Sequence, residues 1–198
     1  MLLIGTGGMA REVAGILEFD NPQINLTFFN NVDDGIVSVW NKYDVIKTEE
    51  EALKYFEINS NNFISCIANP ILRKRLNDKF IKLGGSLENA ISYRADISHF
   101  VKFEKGIVIQ PTCVVASDVT LRKGVFLNAN AIIGHDSLIH QYVSLGPGVR
   151  VLGNVEIGEF SYIGTNAVIM PGVKIGKKVR IGVGKIITED VPDNSKIM

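Results

Sequence analysis

Cysteine and histidine are scarce: two and three residues respectively among 198. Cys66 and Cys113 lie far apart in apolar runs, so they read as buried free thiols rather than a disulfide framework, in keeping with a reducing cytoplasm. Charge of either sign in excess is also missing. Lys and Arg total 21 and Asp and Glu total 21, which leaves no electrostatic footprint for nucleic acid or an anionic membrane. No apolar run approaches the roughly 20 residues that cross a bilayer. The opening "MLLIGTGG" has neither a basic n-region nor a long apolar core, so a signal peptide is not expected. A globular protein of the cytoplasm is the expectation, with one large domain or two small ones.

What is abundant is periodicity. Stepping by six from Ile97 through Phe103, Ile109, Val115 and onward to Ile187 meets 16 consecutive large apolar residues. Two residues before most of these anchors stands a second small or apolar position, from Ala95 and Val101 to Val173 and Val179. Glycine follows the anchor at Gly134, Gly146, Gly158, Gly164, Gly176 and Gly182. A six-residue period fits neither an α-helix nor a long alternating strand. It fits short strands joined by tight corners, with one aliphatic per side pointing inward and glycine supplying corner angles that other residues resist. Three sides close a triangular coil, so residues 18 apart stack at about 4.8 Å. Residues 95–190 then give about five coils of a parallel β-helix.

No such period precedes residue 95. "LLIG" reads as a short buried strand, and Gly5-Thr6-Gly7-Gly8 is a turn leading into the helical spacing of Met9, Val13, Ile16 and Leu17. "LTFFNN" and "NFISCIA" are further strands. Thr48 to Glu51 is a capping box, and Asn69-Pro70 is an N-cap with proline in the first turn. The alternation argues a small parallel α/β sheet. The division expected is 1–92 for a Rossmann-like α/β domain and 93–198 for the β-helix. The glycine turn before the first helix is a partial phosphate-binding signature, lacking the third spaced glycine of the dinucleotide fingerprint.

Taken together, "LLIGTGGMAREV", "FFNN", "IANPILRKRL", the long run from "NANAIIGHDSLIH" through "GNVEIGE" to "MPGVKIG", and the ending "IITEDVP" resemble the PglD/NeuD-type sugar-nucleotide N-acetyltransferases of the hexapeptide acyltransferase superfamily. The resemblance implies a left-handed β-helix and a homotrimer holding acetyl-CoA in grooves between subunits. It implies an N-terminal domain holding the nucleotide of a UDP- or dTDP-amino sugar, whose amine reaches the waiting acetyl group.

An ammonium is no nucleophile, so the amine must shed a proton, a task suited to imidazole. By resemblance His135 is the general base and Asp136 orients its ring. Adjacent residues of a strand face opposite ways, so the pair requires a turn between them; His135 lies two residues past the anchor Ile133, near a corner. Gly153, one coil on, would offer its N–H to the acetyl carbonyl. Ser144 and Thr165 are further expected coenzyme contacts. Asn128 matches a sugar-contacting asparagine. Gly7, Gly8, Asn30, Asn31 and Asn69 would line the nucleotide site. Asn30-Asn31 replaces the family's paired aspartates, Ser144 replaces a common histidine, and "IAN" replaces "IGN".

Two other readings compete. An O-acetyltransferase of a sialic-acid-like sugar would share fold, coenzyme and base. His99, His135 and His140, spaced by 36 and 5 residues, resemble the three-histidine metal site of γ-class carbonic anhydrases. The acetyltransferase reading requires no metal.

Overall fold

A computed structural model describes residues 1–33 and 35–198, in two compact units, Met1–Ala90 and Ile91–Met198. The first contains β1 (Leu2–Ile4), α1 (Gly8–Asp20), β2 (Thr27–Phe29), β3 (Ser38–Val39), β4 (Tyr43–Ile46), α2 (Glu49–Ile58), β5 (Asn62–Ser65), α3 (Pro70–Lys82) and β6 (Ser86–Leu87). Its sheet runs β3-β4-β2-β1-β5-β6, parallel except where β3 meets β4. All of Leu2, Leu3 and Ile4 are buried, as a central parallel strand requires. Strands β3, β4 and β6 were not anticipated, because pieces of two to four residues carry too little alternation to register.

Both expected helix starts form. Thr48 Oγ1 accepts from Glu51 N at 3.1 Å while the Glu51 carboxylate accepts from Thr48 N at 3.0 Å. Asn69 Oδ1 accepts from Ile71 N at 3.0 Å and Leu72 N at 3.1 Å, with Pro70 opening α3. Phe29, Phe63 and Phe80 then pack with α2 residues Ala52 and Tyr55 into this unit's core.

The second unit is a left-handed parallel β-helix of two-residue strands in three sheets. Its rungs repeat at the expected spacing: Val108 pairs with Phe126, Phe126 with Ser144, Ser144 with Tyr162 and Tyr162 with Arg180. One sheet extends past the anticipated limits, to Ala90–Ile91 at one end and Lys196–Ile197 at the other. Each side buries two residues rather than one. Val143 with Leu145, Val149 with Val151 and Val155 with Ile157 all point into a single apolar core. At roughly 1.5–3 kcal/mol per buried aliphatic, this doubled column is the main force closing the coil.

The corner glycines also work differently from expectation. Left-handed backbone falls three residues past every anchor from Phe103 to Ile181, where only Gly106, Gly124, Gly148, Gly172 and Gly184 are glycine; the others include Asp118, Asn130, Asp136, Tyr142 and Asn154. The glycines one past the anchor have no positive φ. A Cβ at Gly134 would lie 2.6 Å from Gly153 N, and one at Gly146 would lie 2.8 Å from Thr165 N. They are glycine because consecutive coils approach too closely for a side chain, not because the chain turns there.

Candidate active site

The left-handed corner settles how His135 and Asp136 can meet. Asp136 has φ 58°, so the chain turns between the two residues instead of continuing as a strand. Nδ1 of His135 lies 2.7 Å from Oδ2 of Asp136. A carboxylate accepts, so in the neutral ring the bond favours the proton on Nδ1 and the lone pair on Nε2. Both side chains are well exposed, at 68% and 61%, so a substrate can reach them.

Gly153 sits directly beyond the ring. A Cβ built on it would come within 2.7 Å of His135 Nε2 and 2.8 Å of Cε1. Nε2 therefore rests over a position kept clear by glycine. Asn154 N donates to His135 O at 2.7 Å, fixing this corner against its neighbour. The arrangement brings together an imidazole, a carboxylate bonded to it and a backbone turn one coil away.

The other anticipated residues are placed as follows. Asn128 is half-buried and donates from Nδ2 to Leu145 O at 3.2 Å, a rung-to-rung bond. Ser144 is buried in its strand, and Thr165 lies at a corner beside Gly146. His140 follows a different strand from His135, and its Nε2 lies 2.8 Å from Glu156 Oε1. Among the described residues no three His, Cys, Asp or Glu side chains are grouped to hold a metal ion.

The first unit holds a pocket of about 340 Å³. Its lining includes Gly5, Thr6, Gly7, Phe29, Asn30, Asn31, Cys66, Ile67 and Ala68. Gly5 needs its φ of +113°, where a side chain would be strained and 3.2 Å from Ile67. Gly7 and Gly8 need no such angle, and a Cβ on either would meet nothing within 4 Å. Gly7 caps α1 without a side-chain bond, and no acidic residue occupies its first turn. The first N–H groups of α1 thus keep their bare partial positive charge.

Asn30 is buried and occupied locally: Nδ2 donates to Thr6 Oγ1 at 3.0 Å and Oδ1 accepts from Val32 N at 3.0 Å. It clamps the glycine turn to the loop after β2, while Asn31 is exposed at the pocket's edge. Asn69 does not line the pocket; its oxygen caps α3. Buried Arg73 holds the neighbouring wall, donating from Nη1 to Ile67 O at 2.7 Å and Ala68 O at 3.0 Å. Thr6 and Arg73 were not singled out from the sequence. Arg73 lies in a plainly charged helical stretch whose pattern gives no sign of burial. Burial raises the Cys66 thiol above its ordinary range, so it forms a neutral wall.

Comparison with known proteins follows the same division. Residues 1–80 match the PglD N-terminal domain, and residues 154–189 match the bacterial transferase hexapeptide (six repeats). The acetyltransferase domain of PglB from Neisseria gonorrhoeae FA1090, solved with acetyl coenzyme A, is 28% identical with TM-score 0.88, covering 98% of this chain and 93% of that one. PerB from Caulobacter crescentus, solved with CoA and GDP-perosamine, is 26% identical with TM-score 0.87, covering 97% and 90%. The chain thus resembles the PglD-type sugar N-acetyltransferases in both units. WeeI from Acinetobacter baumannii AYE is a further solved structure of this kind, 26% identical with TM-score 0.88, covering 98% and 94%. The search of curated protein sequences gives no match. Among the described residues no helix is long and apolar enough to cross a membrane.

Proposed function

We propose that the protein transfers the acetyl group of acetyl-CoA to the amine of a nucleotide-linked amino sugar, with His135 as general base. The observation that carries this is the 2.7 Å bond from Nδ1 to Asp136, which leaves Nε2 basic and set over Gly153. Nε2 takes a proton from the attacking amine as the carbon–nitrogen bond forms. The carbonyl oxygen becomes an oxyanion, for which the Gly153 N–H is the donor. Collapse expels the CoA thiolate, and no acyl-enzyme is needed. Acetyl-CoA bound by PglB, and CoA with GDP-perosamine bound by PerB, support the choice of substrates. UDP- or dTDP-linked amino sugars are the acceptors the sequence favours, and GDP-linked ones join them on the PerB likeness. The first unit's pocket, beside the uncapped start of α1, is the proposed nucleotide site.

The assembly we propose is a homotrimer. The outward column Val114, Ile132, Val168 and Ile186 presents an apolar face on one sheet, with Ile186 66% exposed. Arg150 interrupts the column, but its guanidinium folds back onto Asn130 O at 2.7 Å and Gly148 O at 2.8 Å. Light scattering should give three chains per particle; a stable monomer at micromolar concentration would overturn this arrangement.

The test is CoA release with a panel of UDP-, dTDP- and GDP-linked amino sugars. His135→Ala should lower kcat by roughly 10²–10⁴-fold while acetyl-CoA still binds. Asp136→Asn should cost less, since it orients the ring without taking the proton. Wild-type turnover with hydroxyl acceptors alone would favour the O-acetyltransferase reading. Activity abolished by a chelator, with His99→Ala as damaging as His135→Ala, would favour the metal reading instead.

A further inference from the structure

The inward position two before each anchor is apolar nearly throughout, yet Ser137 and Ser161 occupy it and are 1% and 0% exposed. Their hydroxyls enter turns of the next coil. In most corners the turn closes on itself: Ala131 N donates to Asn128 O at 3.2 Å, Val149 N to Gly146 O at 3.4 Å, and Ala167 N to Gly164 O at 3.1 Å. In the corner 152–155 a hydroxyl stands between the corresponding partners. Val155 N donates to Ser137 Oγ at 3.2 Å, and that hydroxyl lies 3.2 Å from Leu152 O and 3.4 Å from His135 O. Ser161 does the same in the corner 176–179, donating to Gly176 O at 2.7 Å and accepting from Val179 N at 2.9 Å.

The two staples are chemically alike, but only one borders the candidate site. The turn that Ser137 holds carries Gly153, whose Cα faces His135 Nε2. We propose that Ser137 is a positioning residue: its buried hydroxyl, inserted between Leu152 and Val155, fixes the direction of the Gly153 N–H toward the acetyl carbonyl. The proposal rests on the acetyltransferase reading. Removing the hydroxyl lets the turn close on itself, as its neighbours do, and rotates the peptide that carries this donor. Small displacements of a catalytic donor cost much more in rate than in binding.

The repeat supplies the matched controls. Valine and threonine have the same shape and differ by the hydroxyl, and valine already fills this position at Val143, Val149 and Val155. Ser137→Val should lower kcat about tenfold with the KM for acetyl-CoA little changed, Ser137→Thr should restore most of the rate, and Ser161→Val should lose similar thermal stability with kcat intact. A second readout needs no sugar. With acetyl-CoA carrying a ¹³C-labelled carbonyl, infrared difference spectra should show a downshifted thioester stretch in wild type, Ser137→Thr and Ser161→Val, and a smaller shift in Ser137→Val. If Ser137→Val does not fold, Ser137→Ala serves in both measurements. Unchanged kcat and carbonyl shift in the Ser137 variant, with stability lost as in Ser161→Val, would reduce Ser137 to a structural staple and overturn the proposal. His135→Ala measured alongside separates the failures. If it is inactive while the Ser137 variant keeps wild-type rate, only the positioning role falls; if it is fully active, the base assignment falls and the proposal with it.

Discussion

The two units build their sites in opposite ways. In the β-helix a residue's place follows from an 18-residue stack, so the same backbone corner recurs while its side chain changes from rung to rung, as at His99, Ser117, His135 and Gly153. His135 and Gly153 occupy equivalent places on successive coils, and the second is glycine where the first is the proposed base. In the α/β unit nothing repeats, and each feature of the pocket has its own local support: Gly5 by its φ, the loop after β2 by the Asn30–Thr6 bond, the opposite wall by Arg73. A periodic scaffold supplies internal controls for any single residue. An aperiodic one supplies none, and its parts must be tested against the other unit.

The sharpest way to break this comparison is at the glycines. Gly153→Ala has an allowed backbone, and the atoms nearest its methyl belong to the movable His135 ring, so the fold should survive while kcat falls by about 10²-fold as the proposed base is pushed aside. Gly134→Ala is the contrast, since its methyl meets the Gly153 backbone at 2.6 Å and should cost thermal stability as well as rate. Comparing melting temperature with kcat for the two variants decides whether the glycine one past an anchor serves packing while the glycine two past the next coil's anchor serves the reaction.

A smaller effect is expected at α1. Gly8→Asp meets no steric barrier, and a carboxylate in a first helical turn is mildly stabilising. It should nonetheless raise the KM for a nucleotide sugar about tenfold by repelling phosphate, and leave acetyl-CoA affinity alone. Equal losses for both substrates, measured by calorimetry, would show that the division of labour between the units is wrong.

At Asn69 the expectation is purely local. Losing the cap to Ile71 and Leu72 in Asn69→Ala should cost about 1 kcal/mol by denaturant unfolding, with substrate KM nearly unchanged. A large KM effect would instead give Asn69 the substrate contact that the family resemblance implies.

The smallest effect concerns acid. Glu104 bonds Arg122 at 2.9 Å and Lys123 N at 2.8 Å, linking successive coils, and the Arg122 side chain holds its carboxyl below the usual range. A depressed folded value means the stabilisation is present above the unfolded pKa and is lost as pH falls through the folded one. Both side chains are more than two-fifths exposed, so Glu104→Gln should cost at most about 0.5 kcal/mol at pH 7. The difference from wild type should shrink in unfolding curves as the pH is lowered.

Much of this was legible without coordinates. The anchors, the 18-residue stacking, both helix caps and the pairing of His135 with Asp136 depend on local pattern and short-range hydrogen bonds, which sequence order records directly. Legibility failed where position in space decides. The period locates glycine one past the anchor, but only the stacked coils reveal that a methyl there would strike the next backbone, and that the left-handed angle lies two residues later. Asn30 and Asn69 are substrate contacts by family resemblance; that they also form a loop clamp and a helix cap only the fold shows. Ser137 was visible only as a gap in an apolar column. The sequence by itself determined the coil and its histidine corner, because a strict period leaves the chain few other ways to bury its aliphatics. Only the tertiary structure decided which glycine faces the base and which hydroxyl enters a turn, since both depend on residues a full coil apart being brought within a few ångströms.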